Sequence, residues 1–198
     1  LGFCLTHLGH PEAGRIEYAR AVELDPTDPR SLRHLGHPDY ALRRFDQAQA
    51  QYQKALDLED RHTLTHYWIG ACYLARKEFL KAIDEFEAWE LGKGKAPDTK
   101  ARLDQLRAAY REHGEHGYWL KKRELAEKHP TIQPYEMAKI LSHLGREEEM
   151  FARLEDAYKK RERDTLEYLL FDECWDPYRV DSRFQVLLDK VGFPKTAK

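Results

Sequence analysis

The 198-residue sequence contains no asparagine and only two methionines. Both side chains are chemically labile at high temperature, and proteins from hot environments tend to lose them while they gain charged residues. Because charged residues make up 34% of the chain, we hypothesise that the protein comes from a thermophile. A melting midpoint in the ordinary mesophilic range would contradict this hypothesis.

The sequence also lacks an excess of either charge and lacks a long apolar run. Its 33 lysine and arginine residues against 35 aspartate and glutamate residues give a net charge of −2, so no general positive field attracts nucleic acid or an anionic membrane. No stretch approaches the roughly 18 apolar residues of a membrane-spanning helix, and no signal peptide is recognisable. We therefore predict neither nucleic-acid binding nor a membrane span, and the composition leaves the cellular compartment open.

What the chain does contain is apolar residues at helical spacing, most clearly between Thr63 and Leu91. They recur there as in two amphipathic helices, which the short polar turn at 76–78 separates. The first helix carries Trp68, Ile69, Gly70 and Tyr73, and the second carries Phe79, Ala82, Ile83, Phe86 and Trp89. Because Gly70 has no side chain, we expect a neighbouring helix to come close at this position.

The same pattern recurs at a fixed interval of thirty-four positions. One step back aligns Leu35, Gly36, Phe45, Ala48 and Tyr52 with Ile69, Gly70, Phe79, Ala82 and Phe86, and a second step back adds Leu1, Gly2 and Tyr18. Self-similarity at a fixed period is typical of a stack of helix pairs, in which each pair covers the bare face of its neighbour.

The repeated pattern resembles the tetratricopeptide repeat (TPR), in which an aromatic residue near Leu-Gly precedes a Tyr and an Ala-x3-Phe run. The resemblance implies an all-α fold: a right-handed α-α superhelix, or solenoid, of about five helix-turn-helix repeats with a C-terminal helical cap. The predicted single domain comprises a partial repeat at 1–28, repeats at 29–62 and 63–96, a divergent repeat at 97–130, a repeat at 131–161 and the cap at 162–198. The cap is similar to the closing module of TPR arrays in many bacterial regulatory proteins.

The sequence makes specific structural predictions for several individual residues. Pro38 falls inside a predicted helix, where proline costs about 3 kcal/mol, so we expect the helix to bend there or to stop near Gly36 and restart. The divergent repeat is predicted to turn at 113–114, and Trp119 stands where the family has a small residue, which predicts looser or differently angled packing. Cys4 and Cys72 share one place in two repeats, so we expect both to be small buried hydrophobes. The repeat frame places Leu1 seventh in its repeat, which predicts a shortened first helix.

The resemblance also implies a binding function, because the first helix of each TPR pair lines a concave groove. We predict that this groove binds a peptide or a partner helix through aromatic and arginine anchors. The predicted groove residues are Phe3, Thr6, His7, Arg30, Arg33, Tyr40, Tyr67, Ala71, Leu74, Tyr135 and Lys139. The alternative is that these residues pack against a flanking helix of the intact protein. Since TPR proteins that clamp a C-terminal carboxylate use asparagine, its absence argues against that subclass.

No residue pattern argues for catalysis or for a cofactor. The ten histidines include pairs three or four apart, namely His7/His10, His34/His37, His62/His66 and His113/His116, but a zinc site needs three or four convergent ligands. No serine, histidine and acid combination has a motif around it. We therefore predict a non-enzymatic protein without catalytic, cofactor or metal residues, in which Arg30/Arg33 and Arg43/Arg44 pair with acidic groups.

A second hypothesis is self-association. A solenoid needs polar ends, whereas the N-terminal end exposes an apolar half-helix. Its predicted contact residues are Leu1, Phe3, Cys4, Leu5 and Leu8. A second copy that covers them head to tail would make a contact that need not close, so oligomers or filaments could grow.

Overall fold

The computed structural model describes residues 1–58, 63–94, 98–128 and 132–194. These residues form eleven α-helices and one 3₁₀ helix, and no strand occurs among them. The helices are α1 Gly2–His7, α2 Pro11–Leu24, α3 Pro29–Ala41, α4 Phe45–Leu58, α5 Thr63–Ala75, α6 Phe79–Gly92, α7 Thr99–Glu127, α8 Pro134–His143, α9 Glu147–Lys159, α10 Arg163–Leu166 and α11 Ser182–Val191, with the 3₁₀ helix at Glu173–Tyr178. The predicted all-α fold is confirmed. The predicted repeat ends at residues 62, 96 and 130 lie outside the described residues.

The helix ends follow from local sequence. Asp28 caps α3 by accepting hydrogen bonds from the backbone N–H groups of Arg30 and Ser31, and Pro29 fills the first turn, where its missing donor costs nothing. Asp181 caps α11, and Gly192 ends it in the left-handed conformation at φ 96°. These residues satisfy backbone groups that a helix leaves unpaired at its ends.

Consecutive helices pack against each other along the chain, and three of their close approaches recur at the interval found in the sequence. Gly2, Gly36 and Gly70 each face an aromatic ring sixteen positions later, at Tyr18, Tyr52 and Phe86. A methyl group on Gly36 would come within 2.4 Å of the Tyr52 ring, and one on Gly70 within 2.8 Å of the Phe86 ring. The close approach predicted at Gly70 is therefore confirmed.

The turns between paired helices also repeat at this interval. Gly9, Arg43 and Lys77 occupy equivalent positions, and all have positive φ angles, of 87°, 62° and 63°. Arg43 and Lys77 adopt this backbone conformation although it is unfavourable for every residue other than glycine. The turn predicted at 76–78 is confirmed, because α5 ends at Ala75 and α6 begins at Phe79.

Two predicted irregularities have different outcomes. The expectation that the helix stops near Gly36 and restarts is wrong, because α3 runs from Pro29 to Ala41 with Pro38 inside it. Pro38 is buried together with its neighbours in α3, and this tertiary packing offsets the lost hydrogen bond. In α7 the backbone breaks at Gly114 (φ 64°, ψ −154°), where the sequence predicts a turn.

The C-terminal part of the chain returns to the N-terminal helices. Phe171, which is fully buried, belongs to one apolar cluster with Tyr40 of α3 and with Trp68 and Cys72 of α5. Cys72 is therefore buried as expected, whereas Cys4 is exposed, so the expectation of a buried thiol is wrong for α1. None of the described helices is both long enough and apolar enough to cross a membrane.

Candidate functional site

Residues 165–178, here called the return segment, lie against the side of the molecule that α1, α3 and α5 share. The ring of Phe171 stacks on His7 of α1 with centroids 4.9 Å apart and on Tyr40 of α3 at 5.2 Å. The indole of Trp68 in α5 meets it edge-on at 5.5 Å. A single aromatic side chain therefore ties three helices to the C-terminal part of the chain.

Arg43 holds the backbone of the return segment. Its guanidinium donates to the carbonyl oxygens of Phe171 at 2.7 Å and Asp172 at 3.2 Å. It also forms a two-pronged ion pair with Asp176, with nitrogen–oxygen distances of 2.7 and 2.6 Å. Bidentate arginine contacts of this kind are among the stronger and more directional polar interactions.

Tyr40 contributes a further contact to the same segment, since its hydroxyl donates to Glu173 at 2.6 Å. Burial, together with the negative charges of Glu173 and Asp172, raises the pKa of Tyr40 well above its usual value. The phenol therefore stays neutral and remains a donor.

A buried polar chain lies beside the return segment. The indole N–H of Trp175 donates to the Tyr135 hydroxyl at 2.9 Å, and this hydroxyl donates to Asp172 at 3.1 Å. Lys139 of α8 completes the chain with an ion pair to Asp172 at 2.9 Å. Burial opposes the charge on Lys139, but Asp172, Tyr67 and Glu136 together outweigh it, and the net effect raises the lysine pKa well above its usual value.

Two adjoining cavities of about 280 and 650 Å³ remain between the helices and the return segment. They share Tyr67 and Trp68 of α5, Glu136 and Lys139 of α8, and Asp172. We call the pair the inner cleft and the larger cavity the aromatic chamber. Further residues that line the aromatic chamber are Leu74, Phe86, Trp89, Leu103, Leu106, Tyr118, Trp119, Lys122, Ile140 and His143.

The chamber surrounds a lysine with aromatic rings. The ammonium nitrogen of Lys122 lies 5.1 Å from the Trp119 ring centroid, 5.8 Å from Tyr118 and 5.9 Å from Phe86. Burial lowers the pKa of Lys122 to about 8. Burial, followed by the positive charges of Lys122 and Lys139, also lowers the pKa of His143 to about 3, so the imidazole is neutral where it stacks on Trp119 at 3.8 Å.

The structure brings most of the predicted groove residues together. Phe3, Arg33, Tyr40, Tyr67, Ala71, Leu74, Tyr135 and Lys139 all line the inner cleft. Thr6 is buried and donates to the Gly2 carbonyl, and His7 lies beneath Phe171. Arg30 is exposed and lies near its capping residue Asp28 at 3.6 Å.

The sequence analysis did not predict many of the cleft residues, among them Trp89, Trp119, Lys122 and Glu136. Trp89 lies on α6, the second helix of its pair, which the resemblance places outside the groove. Trp119 was visible as a departure from the repeat pattern. No sequence signal distinguishes Lys122 and Glu136, because charged residues at such positions are normally solvated.

The histidine and arginine pairs singled out in the sequence form no metal site among the described residues, and their contacts are those of packing and ion pairing. The His34 and His37 rings are 5.4 Å apart, while the predicted pair His62/His66 falls partly outside the described residues. No group of three His, Cys, Asp or Glu side chains in the described part of the chain is arranged to hold a metal ion. Arg43 and Arg44 pair with Asp176 and Glu12, as predicted for this cluster.

Comparison with known proteins gives no assignment: no protein-family model matches the chain, and no curated protein shows significant similarity to it. We therefore infer the function from the inner cleft itself.

Proposed function

We propose that the chain is a non-catalytic interaction scaffold, built as a TPR-type solenoid, that holds a segment of a partner polypeptide in the inner cleft. The regular recurrence of the Gly2, Gly36 and Gly70 contacts supports the repeat architecture. Aromatic side chains and lysine line the cleft, and aromatic residues are enriched among the anchors of binding surfaces.

The observation that carries the proposal is the return segment. The side of the molecule formed by α1, α3 and α5 already holds polypeptide there: Phe171 is the apolar anchor, and Arg43 binds main-chain carbonyls. Main-chain recognition by arginine does not depend on the sequence of the bound segment. The neighbouring cleft offers the same kind of surface for another chain, with Tyr67 common to both of its cavities.

The test is a selection of displayed random peptides on the immobilised full chain, followed by Kd measurements for the enriched peptides. We expect Tyr67→Ala to weaken them about tenfold, the usual cost of losing an aromatic anchor. Tyr73→Ala is the matched control, because Tyr73 is a half-buried tyrosine of the same helix that faces Arg76 and Lys81. Absence of enriched peptides, or equal loss in both variants, would refute the proposal.

A second candidate function is self-assembly through the N-terminal end. Leu1 is 79% exposed, and Phe3, Cys4 and Leu8 are also exposed, whereas Leu5 is half-buried. Clustered apolar side chains at one end favour association with a second copy.

Light scattering over a concentration series tests self-assembly. We expect the average mass of the wild-type chain to rise with concentration and Leu8→Glu to abolish the rise, because association would bury the new charge. Leu24→Glu is the control, since Leu24 is 88% exposed at the end of α2. A wild-type chain that stays monomeric at high concentration would contradict this second function.

A further inference from the structure

The aromatic chamber has the size and lining of a small-molecule site. Its volume of about 650 Å³ falls within the roughly 300–1,000 Å³ of typical ligand pockets. Apolar side chains from α5, α6, α7 and α8 form its walls, among them Leu74, Phe86, Leu103 and Ile140. Pockets of this kind bind the apolar body of a ligand through their walls and orient it through a few polar groups.

Three hydrogen-bond donors in the chamber wall lack an acceptor among the described residues. The indole nitrogens of Trp89 and Trp119 are buried, so a ligand bonds to them only after a small rotation of each ring, and neither has a hydrogen-bond partner there. Within that same part of the chain, the Lys122 ammonium forms no ion pair and lies against aromatic faces. Buried donors normally have acceptors, so a ligand could provide the acceptors that the chamber lacks.

The positions of the donors define a ligand pattern. Trp119 and Lys122 lie three residues apart in α7, on one face of the helix, so one acidic group can reach both. Trp89 lies on α6, where its ring is 5.0 Å from Tyr67. A second acceptor on the ligand body would satisfy its indole N–H.

The other charges in the chamber restrict the charge of the ligand. Arg102 pairs with Glu90 and Lys139 with Asp172, so these cations are already neutralised. Lys93 lies over the Trp89 ring at 3.9 Å. Glu136, Asp172 and Glu173 also line the chamber and would repel a doubly charged phosphate. Burial lowers the pKa of Lys122 and the charge of Glu136 already offsets part of this effect, so the chamber accepts at most a single negative charge, placed next to Lys122.

We propose that the aromatic chamber binds a small carboxylic acid with an apolar ring-bearing body, whose carboxylate pairs with Lys122 beside the Trp119 N–H. This inference goes beyond the proposed polypeptide binding and does not rest on it, but the chamber is part of the inner cleft, so a bound acid and a partner polypeptide would compete for it. The same carboxylate-plus-ring chemistry also occurs at the end of a peptide that terminates in phenylalanine, so the test must separate the two sources.

The experiment titrates the full chain with 3-phenylpropionate and 4-hydroxyphenylacetate while the indole N–H signals are followed by NMR. We expect the Trp89 and Trp119 signals to shift. The Trp175 signal, whose N–H is already bonded to Tyr135, should stay in place. The neutral amide 3-phenylpropanamide should bind at least about tenfold more weakly, because it lacks the charge that Lys122 pairs with.

Lys122→Met should weaken binding of the acids about tenfold or more, since a charge-assisted hydrogen bond is lost. Lys121→Met is the matched control, because Lys121 is the adjacent residue and its ammonium is bound to Glu124. Lys122→Arg keeps the charge and should retain part of the affinity, which separates a lost charge from a damaged fold.

Several results would overturn the proposal. Equal affinity for the acid and the amide would remove the role of the charge, and unchanged affinity in Lys122→Met would remove the role of the lysine. A decapeptide ending in phenylalanine that binds while both small acids fail would assign the chamber to a peptide terminus instead.

Discussion

Phe171→Ala is expected to lower the free energy of unfolding by about 3–5 kcal/mol, the usual cost of truncating a fully buried phenylalanine. Phe171 is completely inaccessible and contacts His7, Tyr40 and Trp68 from three different helices. Its removal opens a cavity where the two ends of the chain meet. Urea denaturation measures the loss, with tryptophan fluorescence and far-ultraviolet circular dichroism recorded together, because non-coincident curves would reveal separate unfolding of the two ends.

The control for this prediction is Phe151→Ala. Phe151 is half-buried, and the guanidinium of Arg183 covers its ring at 4.0 Å, so we expect a clearly smaller loss. Arg43 binds main-chain carbonyl oxygens of the return segment. An alanine at position 171 still has its carbonyl, so the Phe171→Ala variant keeps the hydrogen bonds from Arg43. A loss in Phe171→Ala no larger than in Phe151→Ala would show that the return segment contributes little to stability.

The local part of this fold is predictable from the sequence because the interactions that make it are local and repeated. Gly36 and Tyr52 are sixteen positions apart, and the same pair recurs as Gly70 and Phe86. Helical spacing places each residue on the apolar face of its own helix, and the short turn between the paired helices brings the two faces together. The left-handed turns could be located from their place between helices, although nothing in the side chains of Arg43 and Lys77 indicates a positive φ angle.

The contacts of the return segment could not be predicted in this way. Phe171 and Tyr40 belong to opposite ends of the sequence, and no periodicity connects them. Aromatic residues in the C-terminal region suit contacts with the preceding helices equally well, and the choice between the two sets of contacts depends on the angles between the helices that lie between Tyr40 and Phe171 in sequence. These angles depend on how the side chains of neighbouring helices interdigitate, which a residue pattern does not specify.

The site was predictable in part for the same reason. Tyr67, Ala71 and Leu74 follow one face of α5, so helical spacing predicts that they share a surface, and they do line the aromatic chamber. Lys122 lies on a helix with many charged residues, where one more lysine is expected to be solvated. Its burial results from the turn at Gly114 and from the packing of α7 against α6 and α8, so only the three-dimensional arrangement distinguishes it from Lys121.

The second large effect is expected at the buried ion pair between Lys139 and Asp172. Asp172→Ala should cost about 3–5 kcal/mol of unfolding free energy, because it leaves a buried ammonium without its partner. The side chains of Lys139 and Asp172 are only 22% and 7% exposed, and their charged atoms are 2.9 Å apart. The Tyr135 hydroxyl loses its acceptor in the same variant. Chemical denaturation of the variant and the wild type measures the difference.

A double-mutant cycle with Lys139→Met separates the ion pair from simple loss of packing. If the cost arises from an uncompensated buried charge, the double variant should be markedly more stable than the sum of the two single losses predicts. Lys190 and Glu155 provide a matched pair at the same 2.9 Å separation, with side chains that are 41% and 37% exposed. Because water screens exposed ion pairs, Lys190→Met should change stability by at most about 1 kcal/mol. Additive losses at Lys139 and Asp172 would show instead that the two side chains act independently, and the return segment would then be held by Phe171 and Arg43 rather than by the buried charge pair.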